Sequence, residues 1–110
     1  IGGAQALLGS ALNIKPILTL RDGKIDVLEK VRSQKVSWSR VIELTAQALN
    51  NQPAERIAIA HVNALNEAQQ FEQRLRASLA CPDEIIMTEL TPGLSVHTGA
   101  GLVGVAAVAK

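Results

Sequence analysis

A histidine, two small hydroxyl residues and three glycines occur together in the segment TPGLSVHTGAG at residues 91–101. Glycines let a backbone approach a ligand closely, and free backbone N–H groups in such a segment can hold an anion. His97 could donate a hydrogen bond to a carboxylate or a phosphate, and it can gain charge as the pH falls. The alternative interpretation is structural: Gly99 and Gly101 only shape a turn, and His97 is a half-buried spacer.

Three further features could carry chemistry, and each has a simpler structural interpretation. Ile1-Gly2-Gly3 lies at a predicted helix start, where exposed N–H groups attract anions, but two glycines equally suit close packing. His61 ends a predicted buried strand, which favours a structural role. Cys81 is the single cysteine and has no visible partner histidine, so we expect no catalytic thiol, internal disulfide or metal cluster.

The charged residues include one basic cluster and no catalytic arrangement. Lys30, Arg32 and Lys35 follow a predicted hairpin, where such a run is usually solvated but could bind an acidic partner surface. The carboxylates form no pair suited to acid–base catalysis, and Glu72 with Arg76 fits an ordinary helical ion pair. The residues alone therefore do not indicate an enzyme.

Composition narrows the class of protein. The 110 residues suit one domain, and 47% hydrophobic residues with a net charge of +1 exclude disorder and a strongly basic nucleic-acid binder. The longest apolar stretch, at residues 101–109, is shorter than the roughly 20 residues that span a bilayer. No signal peptide is visible, so we expect a cytoplasmic location. The start at Ile1 and the scarcity of aromatic residues suggest a piece of a larger protein.

The elements that position these residues follow from hydrophobic periodicity and turn residues. An Asp-Gly pair at 22–23 between two apolar runs predicts a β-hairpin, and Ser37 or Ser39 is the expected N-cap of the next helix. The expected order is a helix at 2–13, the hairpin, a helix at 37–51, a strand at 56–62, a helix at 66–80, a strand at 84–90 and a strand at about 102–109. This order predicts an α/β fold, on the borderline with α+β: a mixed β-sheet with a β-hairpin, flanked by about three helices.

Both ends of the chain carry recognisable motifs. The opening contains IGGAQALLG and NIKPIL, and residues 89–106 read ELTPGLSVHTGAGLVGVA. These blocks resemble the bacterial DegV family, whose typical form has G-G-R-I-G, a helix and N-I-K-P-I-L, and later E-x-x-P-x-(I/L)-x-x-H-T-G-P-G-x-x-G. The spacing between the blocks also suits the family's helix–strand–helix–strand middle.

The resemblance implies a carrier protein rather than an enzyme. DegV proteins, which have the EDD fold, bind one long-chain fatty acid in an apolar tunnel between two α/β domains, without a cofactor or metal. Several present the acyl chain to a fatty acid kinase, which converts the carboxylate to an acyl phosphate. Residues 1–110 would be the C-terminal domain alone, without the N-terminal domain whose Ser and Thr grip the carboxylate.

Residue roles carried over from the family remain implications of the resemblance. His97 would lie near the ligand's head group, with Thr98 and Gly99 completing its loop, while Ala100 departs from the family's common Pro. Arg32 corresponds to a basic residue suited to docking the kinase. The candidate tunnel walls, which core packing explains equally well, are Ala4, Leu7, Leu8, Ile17 and Leu94.

Three functions are compatible with these observations. The first is a lipid-binding carrier domain, which the resemblance favours. The second is an interaction or oligomerisation module that binds no lipid by itself. The third is an enzyme domain acting on small phosphorylated compounds, because the family's fold relatives include dihydroxyacetone-type kinases. That third function needs a nucleotide loop or a metal-binding carboxylate pair, and neither is visible in the sequence.

Overall fold

The computed structural model describes residues 15–90 and 101–109. Within these residues the chain forms five strands and two helices, in a mixed arrangement that confirms the α/β prediction. In chain order the elements are β1 (Lys15–Arg21), β2 (Lys24–Val31), α1 (Gln34–Ala48), β3 (Ala54–His61), α2 (Leu65–Ser78), β4 (Ile86–Glu89) and β5 (Val103–Ala109). Two helices are fewer than the three expected, and the additional helix predicted at 2–13 lies outside the described residues. Neither described helix is long and apolar enough to cross a membrane.

The hairpin of β1 and β2 forms as the Asp-Gly pair predicts. Asp22 and Gly23 have φ values of 53° and 76°, and positive φ at both central residues is what a type I′ turn requires. A bulge interrupts the pairing, because Ile17 lies opposite Glu29 whereas Leu18 lies opposite Val27. Leu28 of β2 is therefore the extra residue, without a partner on β1.

An ion pair attaches this hairpin to α1. Arg40 Nη2 of α1 lies 2.7 Å from Glu29 Oε2 of β2, and Arg40 also contacts Glu43 on its own helix. Hydrogen bonding from Arg40 lowers the pKa of Glu29 below its usual value. Among the described residues the hairpin forms a two-stranded sheet of its own, beside a mixed three-stranded sheet of β3, β4 and β5.

Helix α1 begins earlier than its apolar pattern indicates. Ser33 is the N-cap, and its Oγ accepts a hydrogen bond of 3.1 Å from the Val36 N–H. The prediction of Ser37 or Ser39 as the cap is wrong, since both lie inside the helix. The apolar stripe starts only at Trp38, because the first turn is solvated and needs no buried side chain.

The main sheet has the strand order β4-β3-β5, with β3 parallel to β4 and antiparallel to β5. Its inner face forms the core, where Ile57 and Ile59 of β3 pack in one cluster with Phe71 and Leu75 of α2. The ring of Trp38 meets Phe71 edge to face, with 5.8 Å between ring centroids. Both aromatic residues therefore anchor the core.

The opposite side of this sheet, here called the outer face, carries mainly small residues. Because side chains alternate along strands, the register places Ala58, Ala60, Gly104 and Ala106 together on it. A side chain added at Gly104 would meet no atom within 4 Å among the described residues. Ile86 and Val108, which are 62% and 54% exposed, lie at the margins of this face.

Candidate functional site

Two connections of the chain meet at the carboxyl end of β3: the turn from β3 to α2 and the connection between β4 and β5. The His61 carbonyl accepts a hydrogen bond of 2.9 Å from the N–H of Leu90, which directly follows β4. The Val62 carbonyl accepts one of 2.9 Å from the Gly101 N–H, and the Val62 N–H donates one of 3.0 Å to the Leu102 carbonyl. Residues 61 and 62 therefore hold both ends of the connection between β4 and β5.

The ligand residues predicted from the sequence lie within that connection. His97, Thr98 and Gly99 fall in residues 91–100, which are outside the described residues, so their roles stay predictions. What the structure supplies is the place where the segment starts and finishes, beside the carboxyl ends of the parallel strands β3 and β4. Ligands of α/β proteins commonly bind outside the carboxyl ends of parallel strands.

His61 itself has a structural role, as expected for a buried histidine. It is 6% exposed, and its Nδ1 accepts a hydrogen bond of 3.0 Å from the Ala64 N–H. Ala64 is the N-cap of α2, and it provides no side-chain capping bond. The imidazole therefore ties the strand end to the helix start across a tight turn, in which Asn63 has a φ of 48°.

An open depression of about 320 Å³ adjoins this turn. Its lining includes His61, Asn66, Glu67 and Glu89, so it can form hydrogen bonds, but its two carboxylates disfavour an anion. Among the described residues no three His, Cys, Asp or Glu side chains are placed to hold a metal ion. Neither Asn66 nor Glu89 is among the site residues predicted from the sequence. Their positions at a strand end and a helix start were the available signal.

The predicted tunnel walls are only partly within the described residues. Ala4, Leu7, Leu8 and Leu94 lie outside them. Ile17 is 4% exposed and shares the hairpin face of Glu29, which bonds to α1. Its side chain is thus already buried against the rest of this chain, and its contact with a ligand remains a prediction.

The basic cluster is fully solvated. Lys30, Arg32 and Lys35 are all exposed, and none of them forms an ion pair within the described ranges 15–90 and 101–109. In contrast, the predicted pair of Arg76 with Glu72 is confirmed at 3.0 Å. The cluster at the start of α1 is therefore an available cationic surface.

Cys81 has the surroundings of an unreactive thiol. It is partly buried next to the core, and its Sγ lies 3.9 Å from the Leu75 carbonyl. Burial raises the pKa of the Cys81 thiol, which lowers the fraction of reactive thiolate at neutral pH. This environment agrees with the expectation that Cys81 is not a nucleophile.

Solved structures share this fold. A DegV family protein of Corynebacterium glutamicum matches with a TM-score of 0.80 and 31% identity, covering 100% of this chain and 41% of that one. A fatty-acid-binding DegV family protein of Streptococcus agalactiae matches with a TM-score of 0.74 and 32% identity, covering 96% of this chain and 37% of that one. DegV of Bacillus subtilis, described as a fatty-acid-binding protein, matches with a TM-score of 0.71 and 31% identity, covering 99% and 38%.

Curated sequences give the same assignment. A DegV domain-containing protein of Streptomyces coelicolor is 39% identical over 105 residues, which are 96% of this chain and 37% of that protein. One of Halalkalibacterium halodurans is 35% identical over 104 residues, covering 94% and 36%. This chain thus spans little more than a third of the length of these relatives. The sequence profile of the DegV family, described as uncharacterised proteins, matches residues 1–110, and the chain belongs to the DegV family.

Proposed function

We propose that residues 1–110 form the C-terminal domain of a DegV protein, a non-enzymatic carrier that helps enclose one long-chain fatty acid. The observation that carries this proposal is the similarity to two solved relatives that are described as fatty-acid-binding. They are 32% and 31% identical to this chain over nearly its whole length. Residues 61 and 62 hold both ends of the segment that contains His97, so the head group is expected beyond the carboxyl end of β3. A cytoplasmic location stays a prediction.

The two parts of a fatty acid need different surroundings. The carboxylate requires a few convergent donors, which His97, Thr98 and the backbone N–H of Gly99 would supply. Each buried CH₂ of the tail contributes about 0.8 kcal/mol, so about 14 of them contribute about 11 kcal/mol before the entropy of association is subtracted. Enclosing the tail is therefore the main source of affinity, and the head-group donors fix its orientation.

The outer face of the main sheet is the proposed contact with the rest of the DegV protein. Its exposed residues include the apolar Ile86 and Val108 beside Arg56 and Thr88, and its centre is lined by alanine and glycine. The described helices cover only the inner face, where the core cluster lies. Because the relatives are more than twice as long as this chain, an N-terminal domain is the natural occupant.

Arg32 and its neighbours are the proposed docking surface for a fatty acid kinase. Lys30, Arg32 and Lys35 project from one end of the hairpin and the first turn of α1, and all three are exposed. A cationic patch of this kind suits a partner with an acidic surface. Arg32→Glu should slow acyl phosphate formation with purified kinase while leaving fatty acid affinity unchanged. An equal loss of both would remove Arg32 from docking.

The carrier function is tested in the natural protein that contains this chain, at its full length. Native mass spectrometry followed by solvent extraction should identify one bound fatty acid per protein. His97→Ala should weaken fatty acid binding about tenfold to hundredfold, as expected for a lost hydrogen bond to a charged group. Gln73→Ala, at an exposed position of α2, is the control and should bind normally. The carrier function would be rejected if no fatty acid co-purifies and added fatty acid does not bind at micromolar concentration.

A second candidate function is an interaction module that binds no lipid by itself. The exposed apolar margins of the outer face favour it, because such surfaces promote association. Sedimentation of the 110-residue chain should then show a dimer that Ile86→Lys disrupts. A monomer at high concentration would argue against this module.

A further inference from the structure

The side chain of His61 accepts a hydrogen bond from the N-cap residue of α2, a helix start at which the N-cap side chain makes no capping bond. Helices usually begin with a Ser, Thr, Asp or Asn whose side chain accepts a backbone N–H, but Ala64 occupies this position. His61 Nδ1 accepts the Ala64 N–H at 3.0 Å. An acceptor at Nδ1 means that the neutral ring carries its proton on Nε2.

We propose that His61 is a positioning residue, whose Nδ1 bond holds the backbone that fixes both ends of the β4–β5 connection. The His61 carbonyl receives the Leu90 N–H, and the next carbonyl, of Val62, receives the Gly101 N–H. The inference rests on the proposed function, because the head-group residues of the fatty acid site are expected between these two ends. His61 acts through the backbone and does not need to touch the ligand.

The turn after β3 explains why one side-chain bond matters. Asn63 adopts a φ of 48°, in the left-handed region that residues other than glycine adopt at a cost. The Nδ1 bond spans this turn from His61 to Ala64 and opposes its relaxation. Once the bond is lost, the turn is less restrained, and the hydrogen bonds from Leu90 and Gly101 to the adjoining carbonyls should weaken together.

Two substitutions separate this role from a direct ligand contact. The Oδ1 of an asparagine lies near the position of Nδ1, so His61→Asn keeps the acceptor for the Ala64 N–H. The longer His61→Gln places its polar group near the position of Nε2 and loses that acceptor. His61→Leu removes both. Leu79→Ala, at the far end of α2, is a control that lowers stability without touching the turn.

The first measurement is hydrogen–deuterium exchange at the Leu90 and Gly101 amides of the full natural protein. We expect His61→Leu and His61→Gln to speed exchange at both amides about tenfold relative to Leu79→Ala, as for one lost hydrogen bond. His61→Asn should restore slow exchange. Unchanged exchange in His61→Leu, or rescue by Gln and not by Asn, would overturn the inference.

The second measurement is fatty acid affinity in the same four variants, with palmitate as the probe. Affinity should fall about tenfold in His61→Leu and His61→Gln and remain near wild type in His61→Asn and Leu79→Ala. If the wild type binds palmitate and His61→Leu binds it equally well, the positioning role of His61 is contradicted and the carrier function is not. If the wild type binds no palmitate, the carrier function fails, and the exchange result still decides whether His61 holds the two ends.

Discussion

Replacing Phe71 by alanine should remove the central contact between the two helices and the sheet. Phe71 is 1% exposed and is one of the largest fully buried side chains in the described residues. Phe→Ala substitutions in cores cost about 3–5 kcal/mol, and the edge-to-face contact with Trp38 places this one toward the upper part of that range. A domain of this length has a free energy of unfolding of about 5–15 kcal/mol. The variant should therefore lose between about a quarter and nearly all of its stability.

Urea unfolding followed by Trp38 fluorescence measures this loss directly. Trp38 is the only tryptophan, and its ring lies against both Phe71 and the Arg74 guanidinium, 5.6 Å from its centroid. With a slope of about 1.5 kcal/mol per M, the midpoint should fall by about 2–3 M without a change in slope. Leu28→Ala, at a half-exposed hairpin position, should shift the midpoint by much less. A loss below about 1 kcal/mol in Phe71→Ala would refute the assignment of this core.

Three further outcomes follow from the structure. Arg40 depresses the pKa of Glu29 in the folded chain. The ion pair should therefore stabilise the fold above the unfolded pKa of Glu29, about 4.3, and this stabilisation should disappear as the pH falls through the folded pKa of Glu29. Urea unfolding of Glu29→Gln should thus show a deficit at pH 7 that vanishes in acid; a deficit independent of pH would contradict the ion pair. Ser33→Ala should lower the free energy of unfolding by about 1 kcal/mol through loss of the α1 cap. Ser78→Ala is the control and should change the free energy of unfolding little. Iodoacetamide at pH 8 should alkylate Cys81 more slowly in the folded chain than in urea, since burial raises its thiol pKa; equal rates would show an accessible thiol.

The elements with strong local signals were predictable from the sequence. The Asp22-Gly23 turn adopts the positive φ values that such a pair favours, and the helix exit at Asn50 and Asn51 does the same. Strand β3 was expected at 56–62 and lies at Ala54–His61, while the helix expected at 66–80 is Leu65–Ser78. The prediction of Ser37 or Ser39 as the N-cap was wrong, because several serines near one helix start have equal capping propensity. Only the backbone geometry selects Ser33.

The candidate site was only partly predictable. The His97 segment stood out by its residue types, and a structural role for His61 followed from its burial at a strand end. The acceptor role of His61 Nδ1 was not predictable, because a histidine three residues before an alanine has no recognised capping pattern. Likewise the attachment of the hairpin to α1 by the Arg40–Glu29 pair, which spans 11 residues, is a tertiary contact that no local pattern indicates.

By itself the sequence determined the kinds of elements, the aliphatic core and the family, because periodicity, turn chemistry and motifs are local properties of the chain. Tertiary structure decided which segments meet. It brought the ends of the β4–β5 connection to His61 and Val62, about 30 to 40 residues earlier in the chain, and placed both described helices on one face of the main sheet. Such juxtapositions come from strand order and register, in which a shift of one residue reverses the face of every side chain.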